Sequence, residues 1–253
     1  MITDSKTIKF KKTIKILFAL TLILWSNSDR IIKCSPFDDR GNIKDMSMKE
    51  FSDLAISSAY EDRFVASDNI FRAPNFDTSE AFVIIIKGMA AEVDSPLSPT
   101  LPFIRGGITP GWDNIMNNYL NDLVRLGPSI LPCLDLVSDT SSGNLRNWLL
   151  IVRGLLGDGT IADELRILAF QNADANIRED AIRALSKFAS INDFEIYRNA
   201  LQDTYKVIIH TDIDFGNGFH EVYYPVRGEA INALQELGFS VKDSSGQYLI
   251  RKK

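Results

Sequence analysis

A nine-residue pattern occurs twice in the second half of the chain, and self-similarity of this kind constrains a fold more than any single motif. Ile177-Arg178-Glu179-Asp180-Ala181-Ile182-Arg183-Ala184-Leu185 and Val226-Arg227-Gly228-Glu229-Ala230-Ile231-Asn232-Ala233-Leu234 share Arg, Ala, Ile, Ala and Leu at equivalent positions. In each copy apolar residues recur at i, i+4, i+7, i+8 and i+11. They are Ile177, Ala181, Ala184, Leu185 and Phe188, then Val226, Ala230, Ala233, Leu234 and Leu237. That spacing lays one apolar stripe along a helix. The alanines in the stripe let a neighbouring helix approach closely. A weaker third copy runs from Leu145-Arg146 through Leu149, Leu150, Val152 and Leu156, with Arg153 in the slot that Leu185 fills.

A second helix is predicted between copies. Thr160 precedes Ile161, Leu165 and Leu168, and Asn192 and Glu195, spaced as a capping box, accompany Phe194, Tyr197 and Leu201. An earlier pair is predicted at 115–126 and 130–137. Leu156-Gly157-Asp158, followed by Asp174-Ala175-Asn176-Ile177-Arg178-Glu179-Asp180-Ala181, resembles the short bacterial form of the HEAT repeat over roughly residues 115–239. The resemblance implies a mainly α fold, an α-solenoid of HEAT-like helical hairpins. Such hairpins bury their apolar faces only by stacking, about three or more at a time. It also implies binding and scaffolding. Arg146, Arg178 and Arg227 share one repeat position and are expected to be structural, paired with nearby acids such as Asp174.

Arg146 to Arg178 is 32 residues and Arg178 to Arg227 is 49, an excess of 17. The excess falls at 206–224. There, strand-like residues on either side of Gly216-Asn217-Gly218 predict an inserted β-hairpin, and insertions in a solenoid often lie on a binding face. Both histidines of the chain lie in it. His210, Asp212 and Asp214 alternate onto one strand face, and with Phe215 facing Phe219 the expected register sets Asp214 opposite His220. The candidate binding residues are therefore His210, Asp212, Asp214, His220 and Tyr223. His210, Asp214 and His220 are the candidate metal ligands, because imidazole and carboxylate together suit a transition metal. The competing reading is an ordinary solvated polar face, with Ile209, Ile213 and Phe215 packed inward. A calcium loop fails, since Gly216 takes the third ligand position and Tyr223 the twelfth.

No phosphate-cradling glycine loop, serine elbow or cysteine close in sequence to either histidine is present. No catalytic residue and no cofactor are assigned. The chain reads as a non-enzymatic interaction or scaffold module for a protein partner, with a metal-dependent protein or enzyme using the hairpin as the alternative. Residues 1–28 have the three parts of a signal peptide: five lysines, the apolar run Ile16 to Trp25, and Ser26 and Ser28 at the −3 and −1 positions. The run is shorter than the roughly 20 residues that span a bilayer. Export to the periplasm or the extracellular space is expected, with membrane attachment only if the signal stays uncleaved.

Cleavage would leave 23 basic against 32 acidic residues, a balance unsuited to nucleic acid, whose phosphates draw on clustered Lys and Arg. The spacing of Cys34 and Cys133 leaves their pairing open, although Cys133 lies in an apolar helical stretch that suits a free thiol. Residues 29–46 read as a flexible lead-in, 47–109 as a helical N-terminal region and 110–253 as the repeat domain. Pro96, Pro99, Pro102, Gly106 and Gly107 mark the irregular connection before a helix start at Thr109-Pro110.

Overall fold

The computed structural model describes residues 46–73, 75–96, 115–211, 219–244 and 247–253. They fall into two units, divided between Gly88 and Met89 within one long helix. The first unit begins with α1 (Met48–Ala55), which opens on a reciprocal cap: Ser47 Oγ accepts from the Glu50 N–H, and Glu50 Oε2 accepts from the Ser47 N–H at 2.8 Å. Its buried residues are Met48, Phe51, Leu54 and Ala55, a helical stripe. Against it packs α2 (Tyr60–Asn69). The sequence pattern does not reveal α2, because Arg63, Ser67 and Asn69 are buried alongside Val65 and Ala66 and dilute its apolar face. In α3 (Thr78–Asp94), Asp77 Oδ1 accepts the N–H groups of Ser79 and Glu80, both at 2.9 Å. That cap makes 81–86 helical although its composition also suits a buried strand. The expected start at Thr109-Pro110 lies outside the described residues.

The second unit holds α4 (Ile115–Leu126), α5 (Leu131–Thr140), α6 (Gly143–Leu155), α7 (Ala162–Gln171), α8 (Ala175–Ser186), α9 (Phe194–Ala200) and α10 (Pro225–Glu236). One row of contacts runs from α4 to α6, α6 to α8 and α8 to α10. On it α5 packs against α6, α7 against α8 and α9 against α10, and α7 also meets α9. The chain is mainly helical. Among the described residues the strands form two separate antiparallel pairs, β1 (Val207–Thr211) with β2 (Phe219–Tyr223) and β3 (Phe239–Ser244) with β4 (Gln247–Lys252).

The apolar stripe of α8 is buried through Ile177, Ala181, Ala184 and Leu185, and that of α10 through Val226, Ala230, Ala233 and Leu234. Ile182 is buried as well, because α8 has α6 and α10 as neighbours. Its equivalent Ile231 is only half-buried. In α6 the run Trp148 to Val152 is buried all round, the pattern of a helix with neighbours on most sides. Gly154 is required there: a Cβ would stand 2.6 Å from Leu165 Cδ1 on α7 and 3.0 Å from Ala184 Cβ on α8. Arg153 occupies the slot of Leu185 and is buried all the same. Asp158 and Asp135 pair with it at 2.8 and 3.0 Å, and its Nη1 donates to Ser138 Oγ. A buried guanidinium is tolerated only when paired in this way.

The same turn ends the helix in each copy. Leu156-Gly157, Phe188-Ala189 and Leu237-Gly238 occupy equivalent places, and their second residues have φ of 89°, 45° and 85°. After α6 the Asp158 N–H bonds to Arg153 O and the Gly157 N–H to Gly154 O, the pairing of a Schellman cap. The residue after each turn selects the next element. Asp158 accepts from the Thr160 N–H and Ser190 from the Asn192 N–H, and short 3₁₀ turns then lead into α7 and α9. Ser190, not the expected Asn192, is thus the capping side chain before α9, while Glu195 pairs with Arg198. In the last copy Phe239 has no oxygen to cap a helix, and the chain enters β3.

Ala189 is the one described non-glycine residue in the left-handed region, where an L side chain costs about 1–2 kcal/mol. Glycine there would remove that cost while adding roughly 0.4–1 kcal/mol of unfolded-chain freedom. Ala189→Gly should therefore raise stability by about 0.5–1 kcal/mol in urea unfolding. An unchanged or lowered midpoint would count against the left-handed turn.

Candidate functional site

The insertion is tied to the helices at both ends. At its entry Asp203 receives a two-pronged bond from Arg178, Nε to Oδ2 at 2.8 Å and Nη2 to Oδ1 at 3.1 Å. Arg178 Nη1 meanwhile donates to the Asn172 and Ala173 carbonyls just beyond α7. The repeat arginine thus pairs with Asp203 rather than with Asp174, because the latter is already engaged as the cap of α8, accepting from the Asn176 N–H at 2.9 Å. Arg227, the equivalent arginine of the next copy, donates Nε to the Asp203 carbonyl at 2.5 Å. Its guanidinium lies over the Tyr224 ring, 4.1 Å from the centroid. Asp203 is therefore shared by two repeat positions, and only a planar fork such as guanidinium can fill the first of them.

At the exit, Tyr223 leans on α10. Its hydroxyl is 3.1 Å from where a Cβ on Gly228 would stand, so the glycine in place of Glu179's equivalent makes room for the ring. Burial, then the carboxylates of Glu179 and Glu229, raise the pKa of the Tyr223 hydroxyl, and the nearby Arg183 charge opposes them. On α8, Asp180 is buried and ion-paired with Arg183. Glu179 is pushed up to about 7 by burial and by Glu229, against the pull of Arg183. Alongside runs a groove of about 480 Å³ between α8 and α10, whose lining includes Arg183, Lys187, Glu229, Asn232 and Glu236.

The residues expected from sequence to form a site fall differently. His210 and His220 occupy facing positions of the β1–β2 ladder. The expected register with Asp214 opposite His220 is thereby corrected. Thr211 pairs with Phe219, the place the expected register gives to Phe215. Asp212 and Asp214 lie outside the described residues. Among the described residues no group of three His, Cys, Asp or Glu side chains is placed to hold a metal, and Cys133 is a half-buried free thiol. Of the expected set, Tyr223 alone has a described side chain, set against Gly228 of α10. Glu179, Asp180, Arg183 and Glu229 were visible in the repeat only as polar positions between the stripe residues; the equivalence of Asp180 with Glu229 was the one signal that this flank carries like charges.

A second polar cluster lies at the start of α9, with Arg166 of α7 half-exposed above it. Asp193 has no exposed surface and accepts from Arg166 Nε at 2.6 Å. Tyr197 beside it is also fully buried, and burial and the Asp193 charge raise its pKa. No helix among the described residues is long and apolar enough to cross a membrane. Comparison with protein-family models, with curated proteins and with solved structures yields no match.

The geometry makes two outcomes measurable. Asp203→Ala strips the fork from Arg178, whose side chain is only 17% exposed, and should cost about 2–4 kcal/mol in urea unfolding; a loss under about 0.5 kcal/mol would mean the pair is dispensable. Because the folded-state pKa of Glu179 lies above its ordinary 4.5, its contribution is complete below about pH 4.5 and is lost as pH rises towards 7. Glu179→Gln should flatten the stability profile across that window. It should also unfold later than the wild type at pH 8, by at most about 3 kcal/mol. Parallel profiles for the two proteins would show that Glu179 titrates normally.

Proposed function

We propose that the chain is a non-enzymatic interaction module. In this reading residues 110–253 form an α-solenoid of HEAT-like hairpins, and the 206–224 hairpin with its flanking repeat surface is presented to a protein partner. The observation that carries it is the recurrence of one turn, at Gly157, Ala189 and Gly238, in copies whose helices α6, α8 and α10 pack in a row. Repetition of a unit that only neighbours can bury is the physical basis of solenoid surfaces. The tethering of the insertion through Asp203, Tyr223 and Tyr224 supports a presented element, since a two-stranded hairpin alone is marginal in water. The basic and apolar composition of residues 1–28 supports export to the periplasm or extracellular space.

The test is affinity capture from cell-envelope extracts by the chain with and without residues 206–224. A partner retained by the intact chain and lost on deletion is the expected result; equal capture by both forms would remove the hairpin from the binding surface. The alternative reading, a metal site, draws support from the facing of His210 and His220 in the ladder. Metal analysis of the wild type beside a His210→Ala, His220→Ala double variant separates the two. Stoichiometric metal present only in the wild type would favour the metal site.

A further inference from the structure

We infer that the groove between α8 and α10 binds an extended peptide segment in which acidic and basic side chains alternate. The inference rests on the interaction-module reading and names the chemistry of the partner. At about 480 Å³ the groove lies in the size range of ligand sites, roughly 300–1,000 Å³, but such sites ordinarily depend on apolar lining. Here every lining residue is polar or charged. Binding must therefore come from charge and hydrogen bonding.

The two walls differ in sign. Arg183 and Lys187 come from α8 and its C-terminal end, and Glu229 and Glu236 come from α10, with Asn232 and Gln235 beside them. Among the described residues Lys187, Glu229 and Glu236 are in no ion pair, so their charges are not spent on the fold, whereas Arg183 is paired with Asp180 and offers a ligand only its remaining N–H groups. A polyanion would meet Glu229 and Glu236, and a polycation would meet Arg183 and Lys187. Only a ligand with both signs, sorted into two rows, satisfies both walls.

An extended chain sorts them without further help, because successive side chains point to opposite sides. Its same-side residues repeat at about 6.6 Å. Arg183 and Lys187, four helical residues apart, are separated by about 6 Å along α8 at 1.5 Å per residue. Carboxylates at alternate positions of the segment match that row, and interposed lysines, long and flexible, reach Glu229 and Glu236. Asn232 lies between those two in sequence, and its amide offers the donor and the acceptor that a peptide group needs.

The experiment titrates the full chain into two labelled peptides of identical composition, one alternating Glu and Lys and the other with the glutamates and lysines in separate blocks, followed by fluorescence anisotropy. The alternating peptide should bind about five-fold tighter, the upper end for one exposed ion pair, and should weaken at high salt. Lys187→Glu, at an exposed position, should reduce that affinity about five-fold while the helical circular dichroism stays unchanged. Equal binding of the two isomers, or binding of neither, overturns the inference. The interaction-module reading fails separately: it falls if the wild type captures no partner from envelope extracts. A partner captured equally by the wild type and by a Lys187→Glu, Glu236→Lys variant would leave the module intact and overturn the groove.

Discussion

Arg178 and Arg227, equivalent residues of consecutive copies, converge on Asp203, one through its carboxylate and the other through its backbone carbonyl. The entry and exit of the insertion depend on that convergence. It fixes where the chain leaves the helices, and through the stacking of Arg227 on Tyr224 it also fixes where the chain returns. The carboxylate of Asp203 is largely shielded, with 12% of its side chain exposed, and its Oδ1 also accepts the Tyr205 N–H at 2.9 Å. A partly buried carboxylate that accepts from this many donors is held in one orientation. The insertion therefore begins from a rigid point although the row of helices is interrupted there by 17 extra residues.

The helices themselves are held by small residues where they cross and by left-handed turns where they end. Gly154 and Ala184 bring α6, α7 and α8 within reach of one another, and burial of the facing leucines and isoleucines supplies the stabilisation, about 1.5–3 kcal/mol for each side chain fully removed from water. The turn tolerates Gly or Ala, but the next residue decides the direction of the chain. An acceptor side chain there, Asp158 or Ser190, starts another helix. Phe239 instead packs its ring near Phe194, 4.8 Å between centroids, and begins a strand.

The charged flank of α8 and α10 is where fold and proposed function meet. Stripe residues belong to the core, so the positions between them are free to carry charge. Those positions hold Glu179, Asp180, Arg183 and Lys187 on one helix and Glu229, Asn232 and Glu236 on the next. Burial, with Glu229 close by, brings the Glu179 carboxyl to about 7.

Periodicity in the sequence determined the helices of the second unit, their apolar faces and the existence of the insertion, because those depend on spacing within one segment. It determined the caps at Ser47 and Asp77 for the same local reason. The caps at Asp158 and Asp174 came from the structure: the sequence set Thr160 before the first of those helices and Asp174 beside the repeat arginine. Periodicity did not reveal α2, whose buried face mixes polar and apolar residues, nor the choice of Ser190 over Asn192 as a cap. Tertiary structure alone decided the partner of Arg178, since Asp203 lies 25 residues away in sequence and competes with a nearer Asp174 that capping had already engaged. It decided too that Arg153 could occupy a leucine slot, by bringing Asp135 and Ser138 from α5 to it. The ladder register set His210 rather than Asp214 opposite His220. The groove between α8 and α10 also arose from assembly, because its two walls belong to copies 49 residues apart, and a charge pattern on one helix acquires meaning only when the next helix is packed against it.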